Sequence, residues 1–456
     1  MSNPGDADAT PITDTRQLAA FIAAGGKPRE AFRIGTEHEK FGFSRRDLRP
    51  PPYEPGGIRA LLEGIGGFEW QPILDDGQPI GLKGEGRHRD ASVSLEPAGQ
   101  LELSGAPLET LHDTRREFES HFAEVREAAA PLGLGFAPLG FHPTMPREAM
   151  PWMPKGRYAI MRRYMPLKGS RGLDMMQRTC TVQVNLDYAS EADMVRKLRT
   201  SLALQPLATA LFANSPFLEG RPNGLLSGRA AVWLDTDPDR TGIPGVVFED
   251  GFGFERYVEW LLDVPMYFVH RGDYVDVAGA SFRDFMRGRS DILAGETATL
   301  GDFADHMTTA FTDVRLKRFL EMRGADAGSL PMMLAQSALW VGLLYDEAAL
   351  AAASALVAAH PWTDFAALRP VVPRQGLSAA WQRGTLRDLA RDVLAIAAEG
   401  LRARGRRDAS GADESVYLAP LQEIVAGGPT QAEYWIGRYH GAWRGDASRI
   451  FAEAEI

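Results

Sequence analysis

The sequence predicts an α+β fold in which one antiparallel β-sheet collects polar side chains on one face and helices pack against the other. Three observations carry this. Four separated segments alternate between polar and apolar residues, as half-buried strands do. Segments with apolar residues at helical spacing lie between them, and from Ser337 onward the chain turns alanine- and leucine-rich. At 456 residues the chain is long enough to bury a large core.

The first strand is Phe32 to Phe43, Phe-Arg-Ile-Gly-Thr-Glu-His-Glu-Lys-Phe-Gly-Phe. Alternation turns Glu37 and Glu39 to one face and Ile34, Thr36 and His38 to the other. Two carboxylates ~4 Å apart repel by about 4 kcal/mol at an effective dielectric of ~20. On an exposed edge water absorbs that cost. In a cleft a cation must, and a hard divalent metal suits these donors. Both readings are open for this strand taken alone.

Ahead of it, residues 1 to about 12 are polar and rich in Pro, Gly and Asp, the composition of a disordered end. Thr13 to Ala24 reads as a helix with Thr15 as its cap. Ile58 to Ile65 is a short helix closed by Gly66-Gly67. Trp70 to Leu74 and Pro79 to Leu82 are short strands. Lys83 to Asp90, Lys-Gly-Glu-Gly-Arg-His-Arg-Asp, is a basic loop with two readings, a phosphate loop using Lys83 or a plain surface hairpin. It is not Gly-x-Gly-x-x-Gly, because Arg89 stands in the third glycine position, and it lacks the Gly-Lys-Ser/Thr of a P-loop.

Ser92 to Ser104 holds the second strand with charge. After the Pro97-Ala98-Gly99 turn, Gln100, Glu102 and Ser104 share one face and Leu101 and Leu103 the other. Glu96, before the turn, can reach the same region. Leu108 to Ala130 is an amphipathic helix whose Leu111, Phe118, Phe122 and Val125 are core. Pro138 to Pro154 is loop, and its His142 reads as structural. Gly156 to Met165 is a helix with Arg157, Arg162 and Arg163 on a cationic side. Arg178 to Tyr188 is the third strand, with Thr181, Gln183 and Asn185 on the polar face and Val182, Val184 and Leu186 opposite. Cys180 falls on the apolar face as a small buried hydrophobe.

Glu191 to Phe212 is a helix or helix pair interrupted near Pro206. Asp235-Thr-Asp-Pro-Asp-Arg begins like an EF-hand loop but lacks its glycine and closing glutamate, so it reads as a solvated turn. Residues 318–326 form the fourth strand, with Glu321 and Arg323 on one face and Leu320 and Met322 on the other. Leu386, Leu389, Val393 and Ile396 mark a long helix. The organisation expected is one catalytic domain over residues 13–456, sheet-bearing to 329 and mainly helical from 330.

A formal charge of -10 opposes a nucleic-acid partner. No uncharged apolar run reaches membrane-spanning length. The single cysteine excludes an internal disulfide and a cysteine-rich zinc site, and together with a start lacking a signal-peptide pattern it suggests a cytoplasmic location. Folded into one sheet, the four strands bring Glu37, Glu39, Glu102 and Glu321 to one surface. Uncompensated, that cluster would cost several times the pairwise figure, against a total stability of ~5–15 kcal/mol. Oxygen donors without a His/Cys set favour magnesium, which works with substrate phosphates. Arg157, Arg229 and Arg323 are then candidates to hold carboxylate or phosphate groups.

Several long segments resemble one family. They are Ile34-Gly-Thr-Glu-His-Glu-Lys-Phe-Gly-Phe, Ser94-Leu-Glu-Pro-Ala-Gly-Gln-Leu-Glu-Leu-Ser-Gly-Ala-Pro, Met176-Gln-Arg-Thr-Cys-Thr-Val-Gln-Val-Asn-Leu-Asp and Leu320-Glu-Met-Arg-Gly-Ala-Asp. Asn214-Ser-Pro-Phe, Trp233-Leu-Asp-Thr-Asp and Asp263-Val-Pro-Met-Tyr-Phe add to them. The chain resembles the glutamate–cysteine ligases of plants and many proteobacteria over nearly its whole length.

The resemblance implies a glutamine-synthetase-like antiparallel sheet bowl with helices on its outer face. It implies ATP-dependent joining of the γ-carboxylate of L-glutamate to the amine of L-cysteine; a monomer or homodimer is expected, the sequence itself not revealing which. It assigns Glu37, Glu39, Glu96, Glu102 and Glu321 to Mg2+, with Glu102 and Arg323 catalytic. Arg229-Ala-Ala-Val-Trp233 is similar to the family's glutamate-holding element, with Arg157 and Thr181 as further substrate residues. Gln183, Asn185, Lys83 and Arg323 are expected on ATP. Plant members also carry cysteine pairs as redox switches; Cys180 alone cannot reproduce them. The rival readings are a ligase for another amine and a metal-dependent hydrolase, while the intact set of charged residues opposes a silent binding protein.

Overall fold

A computed structural model of the protein describes residues 8–456. The disordered end expected over residues 1 to about 12 therefore falls partly outside the described residues. Its inner part is ordered: Ile12 is buried, its amide donates to Ala298 O at 2.8 Å, and Pro11 bridges Thr299. The first helix, α1 (Thr15–Ala23), is capped by Asp14 rather than Thr15, and Gln17 completes a capping box.

Nine strands make the main sheet: β1 (Ile34–Ser44), β2 (Trp70–Asp75), β3 (Gln78–Gly84), β4 (Ser92–Leu95), β5 (Leu101–Ser104), β6 (Leu134–Ala137), β7 (Thr181–Leu186), β8 (Val314–Leu316) and β9 (Leu320–Asp326). Their order is β8-β9-β7-β1-β5-β4-β3-β2, every pair antiparallel, and β6 joins the end of β1. The α+β architecture read from the alternation is thus present. At eleven residues β1 is long enough to pair with β5, β6 and β7, so its register places most of the site. Glu39 stands opposite Glu102, while Glu37 stands opposite both Ser104 and Gln183.

The helices around the sheet include α2 (Ile58–Gly66), α3 (Leu111–Ala129), α4 (Gly156–Tyr164), α5 (Gly172–Arg178), α6 (Glu191–Leu211), α7 (Gly228–Trp233), α8 (Leu330–Leu344) and α9 (Leu386–Arg404). The back of β1 meets two of them. His38 lies edge-on to Phe118 and Phe122 of α3, and Thr36 Oγ1 hydrogen-bonds Ser337 Oγ of α8 at 2.9 Å. Lys40 Nζ reaches His121 Nε2 at 2.9 Å. Buried on nearly every side, α8 crosses α9 closely: a Cβ on Gly342 would lie 2.3 Å from Ala397 O.

Two local expectations are corrected. The α6 helix runs unbroken through Pro206, which forfeits one backbone hydrogen bond inside a largely buried helix. The Asp235–Arg240 turn is not solvated throughout, because Asp237 and Arg240 are fully buried and paired at 2.6 Å, with Tyr267 Oη donating to Asp237. The basic loop 83–90 closes on a short 3-10 turn, Gly86–His88, anchored where Trp70 stacks on His88 and donates to Glu124. Among the described residues no single helix is long and apolar enough to cross a membrane.

Leu103, 1% exposed, faces the core directly behind the polar face of β5. Leu103→Ala should destabilise the protein by about 2–5 kcal/mol through the cavity it leaves. Equilibrium urea unfolding should show the midpoint falling with an unchanged slope; an unchanged midpoint would mean that this face is not core.

Candidate active site

The site is built from the front of β1, β5, β7 and β9. The turn after β4 adds Glu96, so that one oxygen each from Glu39, Glu96 and Glu102 lies within 4.8 Å of the other two. All three carboxylates are buried. Ser104 Oγ donates to Glu102 Oε1 at 2.8 Å and Thr181 N donates to Glu39 Oε2 at 3.0 Å, while Glu96 Oε1 has no hydrogen-bond partner among the described residues. Burial, and then the charge of Glu102, push the Glu39 carboxyl up to about 8. The same causes raise Glu96 well above the carboxylate range. Three hard oxygen donors at this spacing, two of them resisting ionisation, fit a divalent cation such as magnesium.

Beside this trio lies a cationic wall. Glu321, expected among the metal ligands, lies outside the trio and is paired with cations. Arg315 grips it with Nε at 2.6 Å and Nη2 at 3.0 Å, Lys317 lies at 3.2 Å and Arg323 at 3.1 Å. Burial alone would raise its carboxyl; these three cations hold it well below the usual range. It holds Arg323 in place, and the Nη1 of that arginine also donates to Gln183 Oε1 at 2.5 Å. A β-bulge between Met322 and Ala325 frees this part of β9 from its ladder. Glu37 stands outside the trio and accepts from Asn185 Nδ2 at 2.8 Å.

From α7, Arg229 is buried and donates through Nη2 to Arg323 O at 2.9 Å. Trp233, at the other end of α7, lies beside Phe311. A cavity of about 60 Å³ is walled by Glu39, Glu96, Thr181, Gln183, Arg229, Trp233 and Arg323. A second, of about 40 Å³, shares Arg229, Trp233, Phe311 and Arg323 with it and extends to Asp313 and Arg369. Two wider clefts, about 610 Å³ around Gln431 and Trp435 and about 650 Å³ around Arg199 and Trp362, touch none of the trio's three carboxylates.

Arg157 is buried with the site, whereas Arg162 and Arg163 face outward, onto Trp152 and Asp276. Lys83 is exposed on β3, opposite Ser92; that residue faces Ser104, and Ser104 faces Glu37, so Lys83 shares the sheet face at a distance of several strands. Two residues escape a sequence reading. Arg315 lies on β8, a three-residue strand too short to show alternation. Lys155 precedes α4 and is 3% exposed, its Nζ without a hydrogen-bond partner among the described residues. Burial, and then Arg157, lower the Lys155 amine to about 7 despite the nearby charges of Glu96 and Glu102.

A buried trio of oxygen donors flanked by arginines suits a reaction among anions, in which phosphate and carboxylate groups must approach each other. The fold is shared with a solved ligase. The glutamate–cysteine ligase of Francisella tularensis, determined in complex with AMP, superposes with a TM-score of 0.55 over 92% of this chain and 88% of that one, at 10% identity. The bifunctional glutathione synthetase of Pasteurella multocida gives a TM-score of 0.50 over 96% of this chain and 52% of that one, at 15% identity. The profile of glutamate-cysteine ligase family 2 matches residues 33–453, and the chain belongs to that family. It is 51% identical over 445 residues to the chloroplastic glutamate–cysteine ligase of Brassica juncea, covering 97% of this chain and 84% of the relative. The Arabidopsis thaliana enzyme is 50% identical, at 97% and 83% coverage. These relatives are named chloroplastic, which overturns the cytoplasmic location inferred from cysteine usage and the N-terminal sequence.

Cys180 is fully buried among apolar side chains such as Phe41, Phe217 and Trp435, and burial raises its thiol well above the ordinary value. Cys180→Ser should therefore keep most of the activity at a packing cost of about 1–3 kcal/mol. Turnover beside a melting curve checks this; lost activity with the fold intact would give the thiol a direct role.

Proposed function

We propose that the protein joins the γ-carboxylate of L-glutamate to the amine of L-cysteine at the expense of ATP. The product is γ-glutamylcysteine, made in the first step of glutathione biosynthesis through γ-glutamyl phosphate. The observation that carries this reading at the level of the site is the buried trio Glu39, Glu96 and Glu102 facing a wall of arginines.

In this reading Glu39, Glu96 and Glu102 hold Mg2+. The ion, when bound, neutralises negative charge on the transferring phosphoryl group. Arg229, beside the indole of Trp233, grips glutamate through a carboxylate, with Arg157 and Thr181 on the same substrates. Arg323, fixed by Glu321 and Gln183, meets phosphate oxygens, and Gln183, Asn185 and Lys83 face the nucleotide. The buried floor limits the access of water to the acyl phosphate, and the amine attacks its carbonyl. Phosphate then leaves. No enzyme nucleophile is required, which agrees with Cys180 lying outside the cavity. ADP release measured with glutamate plus cysteine, with glutamate plus other amines, and with glutamate alone tests the acceptor; equal rates for all amines would remove the cysteine assignment.

Two substitutions test the residue roles. Glu102→Gln should leave Leu101, Leu103 and the Ser104 hydrogen bond in place while removing one charge of the trio. Turnover should fall at least ~100-fold, on the order of 3 kcal/mol in activation free energy. The magnesium-induced rise in melting temperature should shrink with it. Near-wild-type turnover by a folded Glu102→Gln enzyme would end the metal assignment. Arg229→Ala should raise the KM for glutamate well above any change in the KM for ATP, because a guanidinium–carboxylate pair acts mainly in binding. The opposite split would move Arg229 to the phosphates.

A further inference from the structure

Asp326, at the end of β9, lies outside the set of residues assigned so far. Its carboxylate is 1% exposed and accepts three hydrogen bonds, from Asn214 N at 2.8 Å, Ser215 Oγ at 2.6 Å and Ser227 Oγ at 2.9 Å. Both hydroxyls are used twice. Ser215 Oγ accepts from Arg229 N and Ser227 Oγ from Ala230 N, each at 3.1 Å, so both clamp the first turn of α7. Arg229 Nη1 is 4.0 Å from Asp326 Oδ1, too long for a hydrogen bond and short enough for strong charge attraction. Asp326 therefore balances the guanidinium without taking a donor from it by hydrogen bonding. The nest is shaped for this carboxylate: a Cβ on Gly140 would lie 2.5 Å from Asp326 Cγ.

The same carboxylate ties α7 to the floor. Asp326 stands opposite Thr181, whose amide holds Glu39, and Arg323, on the bulge three residues earlier, receives Arg229 Nη2 through its carbonyl. The backbone of α7 and the side chain of Arg229 are thus referred to one strand, β9.

We propose that Asp326 is a positioning residue that aims Arg229, through Ser215, Ser227 and direct charge attraction, at the carboxylate of the amino-acid donor and so sets the affinity for it. The proposal rests on the reading of Arg229 as the glutamate-holding residue.

The test is a double-mutant cycle on the full-length enzyme with Asp326→Asn, Arg229→Ala and the pair, measuring KM for glutamate and ATP, kcat and melting temperature. Asp326→Asn should raise the glutamate KM about tenfold and leave the ATP KM within about twofold. Added to Arg229→Ala it should raise the glutamate KM no further, because both changes remove one interaction. Additive effects, or a lowered melting temperature and kcat with an unchanged glutamate KM, would overturn the proposal. An unchanged glutamate KM in Arg229→Ala itself would instead overturn the reading of Arg229, and the proposal with it. If Asp326→Asn does not fold, Ser227→Ala removes one of the three hydrogen bonds. It should raise the glutamate KM a few-fold and be equally silent in the Arg229→Ala background; additivity there overturns the proposal as well.

Discussion

Glu39 and Glu102 stand directly across from each other at the centre of the sheet, and the turn after β4 brings Glu96 to the same point. Burying like charges this close is the electrostatic constraint to which the surrounding side chains answer. Part of the answer is protonation, seen in the raised Glu39 and Glu96 carboxyls. The rest has to be cationic, and the described residues supply no direct ion pair to Glu39 or Glu96. Their arginines and lysines are directed elsewhere: Arg315, Lys317 and Arg323 surround Glu321, and Arg229 lies nearest to Asp326. Glu39 and Glu96 are thereby left without a cationic side chain bound to them among the described residues, as the proposed metal role requires. Separate neutralisation of Glu321 makes this division possible, because without its own cations that buried carboxylate would compete for others.

Alternation along the strands was enough to read the face. Period-two patterning says which side chains share a surface, and Glu37, Glu39, Glu102, Gln183, Asn185, Glu321 and Arg323 do share one. What alternation cannot say is which neighbour each residue meets. Glu321 looked equivalent to Glu39 because Arg315, its bidentate partner, sits on a separate hairpin strand whose register no local pattern reveals. Lys155 was invisible for a related reason: it is a single lysine before a helix, and its importance comes from burial, a tertiary property. Pro206 and Asp237 failed in the opposite direction. Local rules made one a helix breaker and the other a solvated acid, and tertiary burial overrode both.

The back of β1 adds a second charge to the balance. Lys40 alternates with Glu39 along the strand, points away from the site and is fully buried. Burial lowers its amine to about 7, even though Cys180, Glu102 and Glu39 act to raise it. Desolvation therefore outweighs the attraction that crosses the sheet. A lysine held near this value carries only part of a charge at neutral pH, so it cannot stand in for a cation on the front.

The signs of these shifts set how stability responds to pH. Glu39 in the folded protein holds a proton from its ordinary value near 4.5 up to about 8, while the unfolded chain has already released it. Over that window the folded state binds more protons, so stability falls as pH rises. Lys40 does the reverse: between about 7 and its ordinary 10.5 the unfolded chain is the one that binds more protons, and stability rises with pH. The front of β1 is thus most strained above about pH 8, where Glu39 is ionised opposite Glu102. A divalent cation bound only by the folded state, as proposed for this site, would act at this point, because it would favour the ionised carboxylates and add its binding free energy to stability. The pair that makes the centre of the sheet costly without a metal is then the pair through which the metal would stabilise the fold.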